Sequence, residues 1–345
     1  MTLKEIAAKV GVHVSTVSRV INSPDDNFGS REVRERIWTV VRESGYVPNP
    51  SAQALRQSRI HQLSHRIGTL DCVLGRTKYL EDNPFFAQVA RAAEQQALNM
   101  GYSVQVSYSV MDPAQWNTKA REEPPIGAVV LGWFDKPEII QLLESRYKNL
   151  VFVGRNLIGA NWDQVICDGY EAAVIALNHL IGYGHCRIGY IGETKNDARY
   201  RAFVDIVKKH NLEFSPDLVA SCNHNNSEGG YQGVKKLLEK AKPLPTAVFC
   251  ASDVVAIATM RRFRESRVKI PTQLSIVSLD NIELSGYVSP MLTTVGMPIV
   301  EMGSVAVQVL VSRINKLHRL PQKIFLPNKL ADRESVTNLN EGMYI

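Results

Sequence analysis

Four polar residues, Ser15, Ser18, Arg19 and Asn22, share one side of a short run whose apolar residues recur at helical spacing. The apolar residues of the run are Val14, Val17, Val20 and Ile21. Hydroxyl, guanidinium and amide groups on one face of a helix can hydrogen-bond to the base edges and phosphates of DNA. The run is therefore predicted to be a helix with one buried face and one face able to contact nucleic acid.

The residues before this run predict a first helix that would position it. Thr2 and Glu5 have the spacing of a capping box, and Gly11 can end the helix. Its apolar stripe is Leu3, Ile6, Ala7 and Val10. Two short helices on a tight turn are typical of the helix-turn-helix, whose second helix lies in the major groove. From this window alone, an ordinary helical hairpin packed in a core is the alternative.

Composition limits the class of protein. The chain has 345 residues, a net charge of +6 and apolar and charged fractions typical of a soluble globular protein. The first 59 residues hold nine basic and six acidic side chains, so operator affinity would need geometry as well as charge. None of the five cysteines forms a C-x-x-C pair, which favours buried free thiols in a reducing compartment. The N-terminus shows no basic-then-apolar leader and no apolar stretch approaches the ~20 residues of a membrane span, so we expect a cytoplasmic protein without a membrane partner.

A third helix is predicted from Ser30 to about Glu43, and distinctive sequence follows it. The chain resembles the LacI/GalR (lactose-repressor) family of bacterial transcription regulators in TLKEIAAKVGV (2–12), TVSRVIN (16–22), GYVPN (45–49) and SAQALR (51–56). In that family the last segment is a hinge that becomes helical on operator DNA and inserts a leucine into the minor groove. The resemblance implies this role for Leu55, with Ala52 as the small residue one turn earlier. Wedges of this kind bend the duplex, and core packing is the alternative for Leu55.

The same resemblance implies which headpiece residues contact DNA. His13 stands where the family usually has Ser or Thr, a residue that caps the recognition helix and touches phosphate. Histidine is a poorer cap, although its ring can donate to a phosphate. Val14 and Ser15 match the base-reading positions, and Arg19 is the strongest candidate for a guanine or phosphate contact. The expected DNA-binding set is Thr2, Leu3, His13, Val14, Ser15, Ser18, Arg19, Asn22, Ala52 and Leu55.

Strand-like and helix-like runs alternate after a polar, basic linker at 58–66. Alternation of this kind predicts parallel sheets with helices on both faces, and the length favours two lobes. The resemblance continues here through NPFF (83–86), GYGHCRIGYIG (182–192), ASDVVAI (251–257), SIVSLDN (275–281) and PMLTTV (290–295). The predicted fold is an all-α helix-turn-helix headpiece plus an α/β periplasmic-binding-protein-like core of two doubly wound parallel-sheet lobes. The expected domains are the headpiece 1–57 with its hinge at about 49–57, and the core 67–345.

The family binds an effector in the cleft between its lobes. The resemblance implies that Arg199 and Asp280 bind effector hydroxyls, with a surface salt bridge or a turn role as the alternative for each. Ser252 stands where many members have Asn, and it could equally cap the next helix. Phe86 and Trp133 could each line the cleft or pack in the core. Where the family often has an acid, this chain has Gly154, so that contact is either missing or supplied by Arg155 or Asn156.

No catalytic set is evident in the sequence. H-E-x-x-H, P-loop and G-x-S-x-G motifs are all missing, so we expect no enzyme, no metal and no cofactor. The expectation is a homodimeric repressor of a sugar-utilisation operon that binds double-stranded operator DNA and is released by a small sugar. EDNPFF and LPNKL resemble the branch that contains the evolved β-galactosidase repressor, which favours a galactoside. The alternatives are a family member that senses a purine or nucleoside, or a sugar-binding transport protein. The missing signal peptide and the first 57 residues oppose the transport protein.

Overall fold

The computed structural model describes residues 3–22, 30–44, 68–75, 83–110, 124–132, 134 and 136–340. The chain divides into two compact units, residues 1–65 and residues 66–345. Each unit has its own apolar core. The predictions for Thr2, Ala52, Leu55 and Trp133 concern residues outside these described ranges.

The first unit contains the predicted helix pair and a third helix that packs on it. The bounds are α1 Leu3–Val10, α2 Val14–Asn22 and α3 Arg31–Ser44. Gly11 has φ +73°, a left-handed conformation that favours glycine, and it ends α1 as predicted. The core of the unit is formed by Ile6, Val10, Val17 and Ile37, which are all buried. The described residues therefore form the helix-turn-helix that the apolar spacing indicated.

The second unit holds two six-stranded sheets, each the centre of one lobe. Lobe 1 has the strand order β11-β5-β4-β3-β1-β2, with every pair parallel. Its strands are β1 Thr69–Leu74, β2 Ser103–Ser109, β3 Gly127–Leu131, β4 Leu150–Gly154, β5 Asp163–Ile166 and β11 Lys323–Phe325. The helices that pack with this lobe are α4 Pro84–Asn99, α5 Pro137–Arg146 and α10 Ile299–Ile314.

Lobe 2 has the order β12-β10-β9-β8-β6-β7. Its strands are β6 Ile188–Gly192, β7 Val219–Ser221, β8 Ala247–Cys250, β9 Ser275–Asp280, β10 Thr293–Gly296 and β12 Lys329–Ala331. Its helices are α6 Gly169–Gly182, α7 Ala198–Lys209, α8 Ser227–Lys240 and α9 Asp253–Glu265. The one difference from the expected parallel sheet is the edge strand β12, which pairs antiparallel with β10. The two-lobed fold class is confirmed.

The path of the chain brings the carboxyl ends of both sheets to one cleft. Between residues 136 and 340 the chain crosses from one lobe to the other after β5, β10 and β11. Ligands of open α/β sheets bind beyond the carboxyl ends of the strands. Those ends carry Arg155 after β4 in lobe 1, and Glu193 after β6 and Asp280 at the end of β9 in lobe 2. None of the described helices is long and apolar enough to cross a membrane.

Candidate DNA-binding surface and effector cleft

The start of α2 is held by the side chain of His13. Its Nδ1 lies 2.8 Å from Ser15 Oγ and accepts a long hydrogen bond of 3.4 Å from the Ser15 backbone N–H. The imidazole thus takes the capping position that Ser or Thr has in the family. When Nδ1 accepts, the ring proton is on Nε2, which is then a donor for a phosphate. The sequence predicted only a weak cap at His13, so this hydrogen bond from the Ser15 N–H to its ring was not expected.

The polar side of α2 is partly described. Ser15 is exposed and Val14 half-buried, while Val17 and Val20 are buried, so the helix has the two faces that the sequence predicts. The structure describes the backbone, but not the side chains, of the other predicted contacts in α1 and α2. These are Leu3, Ser18, Arg19 and Asn22. An exposed hydroxyl beside a half-buried valine at the start of a recognition helix is able to contact a base edge and a thymine methyl.

Arg199 lies in the first turn of α7, just after β6, and its side chain is fixed. Asp197, which caps α7, accepts from Arg199 Nε at 2.9 Å, and its second oxygen is paired with Nη2. Nη1 donates to the carbonyl of Ala251 at 2.8 Å. Burial acts to lower the pKa of the guanidinium, but Asp197 outweighs burial and holds that pKa above its usual range. The side chain thus has a set orientation and keeps two further N–H groups for a ligand.

Asp280 ends β9 with φ +116° and is 3% exposed. Its Oδ1 accepts a hydrogen bond of 2.5 Å from Nη2 of Arg155, which follows β4 in lobe 1. Burial raises the pKa of Asp280, although Arg155 and Arg199 oppose that rise. The residue predicted to bind the effector is therefore engaged by the opposite lobe, through the arginine that follows Gly154.

An aromatic wall faces this pair from lobe 1. Asn83 caps α4 by accepting from the Phe86 backbone N–H at 3.2 Å, which sets Phe85 and Phe86 in the first turn. The two rings form an edge-to-face pair with centroids 5.0 Å apart. The Arg155 guanidinium lies 4.3 Å from the Phe85 centroid and 5.7 Å from that of Phe86. Phe86 is therefore beside the cleft residues, although at 7% exposure it is largely buried.

Ser252 has the capping role that was the alternative for it. Its hydroxyl accepts from the Val255 backbone N–H at 3.4 Å, and the residue is 4% exposed. Asp253 is buried beneath it and accepts from Ser278 Oγ at 2.5 Å, Thr294 Oγ1 at 2.6 Å and the Ile282 N–H at 2.8 Å. Burial, with the nearby charge of Asp280, raises the pKa of Asp253 to about 7. The network ties the start of α9 to β9 and β10.

Sequence reasoning missed two further groups at the carboxyl ends of β6 and β7. The first is Asp197, whose D-x-R spacing with Arg199 after a strand was the available signal. The second is a reciprocal pair, because the Glu193 N–H donates to Asn225 Oδ1 at 2.9 Å and the Asn225 N–H donates to Glu193 Oε1 at 3.0 Å. Asn225 Nδ2 is buried and has no hydrogen-bond partner. Among the residues that the structure describes, no group of three acidic, histidine or cysteine side chains could hold a metal ion.

Comparisons with known proteins agree with this architecture. Residues 2–49 match the family described as bacterial regulatory proteins of the lacI family, and residues 177–336 match a periplasmic binding protein-like domain. The PurR transcriptional repressor of Aliivibrio salmonicida is 27% identical and covers 98% of this chain and 99% of its own length. The ribose operon repressor of Haemophilus influenzae is 29% identical, over 98% of this chain and 99% of its own length.

Two solved structures are similar to this chain over nearly its whole length. The regulator CelR in complex with cellobiose is 25% identical, with a TM-score of 0.70 over 97% of this chain and 99% of that chain. The Lac repressor dimer bound to operator is 22% identical, with a TM-score of 0.66 over 98% of this chain and 99% of that chain. The fold and the headpiece thus define a DNA-binding regulator with a periplasmic-binding-like sensor core. Residues 2–49 thus match the lacI family of bacterial regulatory proteins, and the chain is similar over nearly its whole length to transcriptional repressors.

Proposed function

We propose that this protein is a homodimeric transcriptional repressor that a small neutral sugar releases from its operator. The observation that carries the proposal is the cleft itself. Fixed donors and acceptors from lobe 2, Arg199 and Asp280, face Arg155 and the aromatic side of Phe86 from lobe 1. A sugar needs this combination, because each hydroxyl both donates and accepts and each ring presents an apolar face.

The charges beside the cleft favour a neutral ligand over a phosphorylated one. Arg155 and Arg199 are offset by Asp197 and Asp280. Asp253, with a pKa of about 7, adds a further partial negative charge at neutral pH. A phosphate group would therefore enter a buried region that has no net positive charge among these groups, and its desolvation would not be compensated.

The proposed mechanism couples the cleft to the headpiece. The α2 helix of each protomer would lie in the major groove, with Leu3, His13, Ser15 and Arg19 among the DNA contacts. The hinge residues Ala52 and Leu55 would occupy the minor groove at the centre of the operator. Effector binding would close the lobes and move the paired lobes beside the hinge, so that operator and effector oppose each other through one coupling free energy. The dimer supplies the two headpieces that a near-palindromic operator needs.

A purine or nucleoside is the second candidate effector, and similarity to the PurR repressor of Aliivibrio salmonicida favours it. Among sugars, we propose a galactoside first, because 81–86 and 326–330 resemble the branch of the evolved β-galactosidase repressor. Arg199 and Asp280 together offer donors and acceptors, which suit sugar hydroxyls because each hydroxyl both donates and accepts. We therefore rank the sugar ahead of the purine.

Selection from random double-stranded DNA followed by fluorescence anisotropy at fixed salt tests the DNA claim. We expect a near-palindromic sequence to be enriched, and we expect Arg19→Ala to weaken binding by about tenfold or more, the usual cost of a lost base contact. Thr39→Ala is the control, since Thr39 is exposed on α3 and bonds only to its own helix at Glu35 O. Failure to enrich any sequence would refute the repressor proposal.

A thermal-shift screen of the full chain tests the effector claim. The panel holds galactosides, glucosides, cellobiose, ribose, phosphorylated sugars and purines, because a ligand of the native state raises the melting temperature. We expect a neutral sugar to give a shift that Asp280→Ala removes and that Arg261→Met, at an exposed pair on α9, retains. A shift with purines alone would replace the sugar by the second candidate.

A further inference from the structure

The ion pair between Arg155 and Asp280, here called the cross-lobe pair, joins the two lobes at the middle of the cleft. Arg155 follows β4 in lobe 1, and Asp280 ends β9 in lobe 2. The side chains are 14% and 4% exposed, so the contact is largely shielded from water and little screened by salt. A contact of this kind affects how far the lobes can separate.

The position of the guanidinium coincides with the place of a ligand. It lies 4.3 Å from the Phe85 ring centroid, where a sugar ring would find an aromatic face. It also occupies Oδ1 of Asp280, the acceptor that effector hydroxyls would use under the proposed function. The Arg155 side chain therefore makes both contacts that we expect of an effector, one with the Phe85 ring and one with Asp280 Oδ1.

The cross-lobe pair is also incompletely satisfied. Arg155 Nε is buried without a hydrogen-bond partner, and burial lowers the pKa of the guanidinium together with the nearby charge of Arg199. Arg199, by contrast, uses all three of its nitrogens on Asp197 and the Ala251 carbonyl within lobe 2. An incompletely paired side chain is the easier of the two to exchange for a ligand, because less is lost when it leaves.

We propose that Arg155 is a built-in competitor of the effector, which holds the lobes together when the cleft is empty and which the effector replaces at Asp280. The regulatory part of this proposal rests on the proposed function, because it requires an effector that binds in the cleft. Its structural half, that Arg155 keeps the lobes together, is independent of any ligand.

Amide hydrogen exchange of the full-length, dialysed protein tests the structural half. The variant Arg155→Met removes the charge and keeps an unbranched side chain. We expect exchange in peptides spanning 154–160 and 280–287, on opposite lobes, to accelerate about fivefold or more, the factor that corresponds to the loss of one ion pair. Arg155→Lys keeps the charge and should restore part of the protection, while Asp280→Asn should reproduce the effect of Arg155→Met.

Arg187→Met is the matched control, because Arg187 is 18% exposed and pairs with Glu213 inside lobe 2. We expect it to leave both cleft peptides at the wild-type rate. Unchanged exchange in Arg155→Met, or acceleration confined to lobe 1, would overturn the proposal. Circular dichroism of each variant separates misfolding from opening, and Asp280→Asn supplies a second test if Arg155→Met does not fold.

The same set of variants distinguishes this proposal from the proposed function. If cellobiose, ribose or a galactoside shifts the melting temperature of the wild type and Arg155→Met exchanges like wild type, the effector claim stands and the competitor claim fails. If no ligand of the panel shifts the wild type but Arg155→Met opens both lobes, the cross-lobe pair stands and the sugar claim fails. Where a ligand does bind, we expect it to slow exchange in Arg155→Met to the rate of the liganded wild type.

Discussion

The core holds the arginine–carboxylate pairs Arg313–Asp163 and Arg155–Asp280, which have the same chemistry but different surroundings. Asp163 at the start of β5 is fully buried and accepts from Arg313 Nη2 at 2.8 Å, the Gln322 N–H at 2.7 Å and His318 Nε2 at 3.0 Å. All three donors belong to lobe 1 or to the chain entering it. Asp280 accepts from one arginine, and that arginine belongs to the other lobe.

The surroundings decide the titration of each carboxylate. Burial alone would raise the pKa of Asp163, but the hydrogen bonds from Arg313, Gln322 and His318 outweigh burial and lower that pKa. At Asp280 burial outweighs Arg155 and Arg199, and the pKa is raised. Asp163 is held by partners of its own lobe, whereas the hydrogen bond at Asp280 comes from an arginine of the other lobe.

The largest expected effect is that of Arg313→Met. It leaves Asp163 buried with only His318 and the Gln322 N–H as partners, and removal of one member of a buried ion pair typically costs about 3–5 kcal/mol of unfolding free energy. Urea denaturation at a fixed protein concentration measures this loss. A loss below about 1 kcal/mol would show that the segment 315–322 relaxes and hydrates Asp163, and the contrast between the two pairs would then disappear.

Asp253 should make stability depend on pH in the direction opposite to Asp163. Its folded-state pKa of about 7 lies above the ordinary aspartate value of about 3.9, so the folded state holds the proton more tightly. The free energy of unfolding should therefore fall as pH rises from about 4 to about 7, by up to about 1.4 kcal/mol per pH unit. Urea midpoints of wild type and Asp253→Asn at pH 5, 6 and 7 check this.

The pH experiment has one expected direction for the stability difference between Asp253→Asn and wild type. The stability of Asp253→Asn relative to wild type should increase with pH across this window. A constant difference between the two proteins would mean that Asp253 stays ionised when buried. The Asp163 contribution has the opposite sign, since it is present above the ordinary pKa and is lost as pH falls through the lowered folded-state value.

Arg155→Met should reduce global stability far less than Arg313→Met, by about 1 kcal/mol or less. Under the proposed exchange of Arg155 for an effector, opening of the lobes would let water reach Asp280 without loss of either sheet. The same urea experiment measures the effect. A loss as large as that of Arg313→Met would mean that the lobes cannot separate, which contradicts the exchange of Arg155 for an effector.

Arg261→Met should have the smallest effect. The Arg261–Glu265 pair lies at i,i+4 on α9, and the arginine is 76% exposed. Exposed pairs of this kind contribute little to the free energy of unfolding, because water and salt screen them. A urea midpoint clearly below that of the wild type would show that the hydrogen bonds of Glu265 with Arg261, Tyr231 and Arg262 contribute to stability.

Much of the fold was predictable because apolar periodicity reports burial directly. The predicted alternation of strands and helices after residue 66 is present, for example as β8, α9 (Asp253–Glu265) and β9 in succession. The strand β5 does not show the apolar pattern of a buried strand, because its first two residues, Asp163 and Gln164, are polar. Both are fully buried, and Gln164 is satisfied by the backbone of Ile158 and Ala160. Nothing in the local sequence signals such partners.

The candidate site was predictable only in part. Arg199, Asp280 and Phe86 do come together beside one cleft, and their roles as ligand contacts remain proposals. Arg155 was only one of two residues suggested to compensate for Gly154, and nothing in the sequence showed that it pairs with Asp280, which is 125 positions away. A contact across that separation depends on the chain crossing from lobe 1 to lobe 2 after β5.

The sequence by itself determined the helix-turn-helix, the two-lobed α/β core and the types of residue available at the carboxyl ends of the strands. Spacing and apolar pattern are local properties, so they can be read directly from the sequence. The contacts of His13 with Ser15 and of Asp197 with Arg199 join residues two positions apart, and their geometry depends on the backbone where α2 and α7 begin. The tertiary structure alone decided that Arg155 reaches across the cleft to Asp280, because that contact depends on how the two lobes pack.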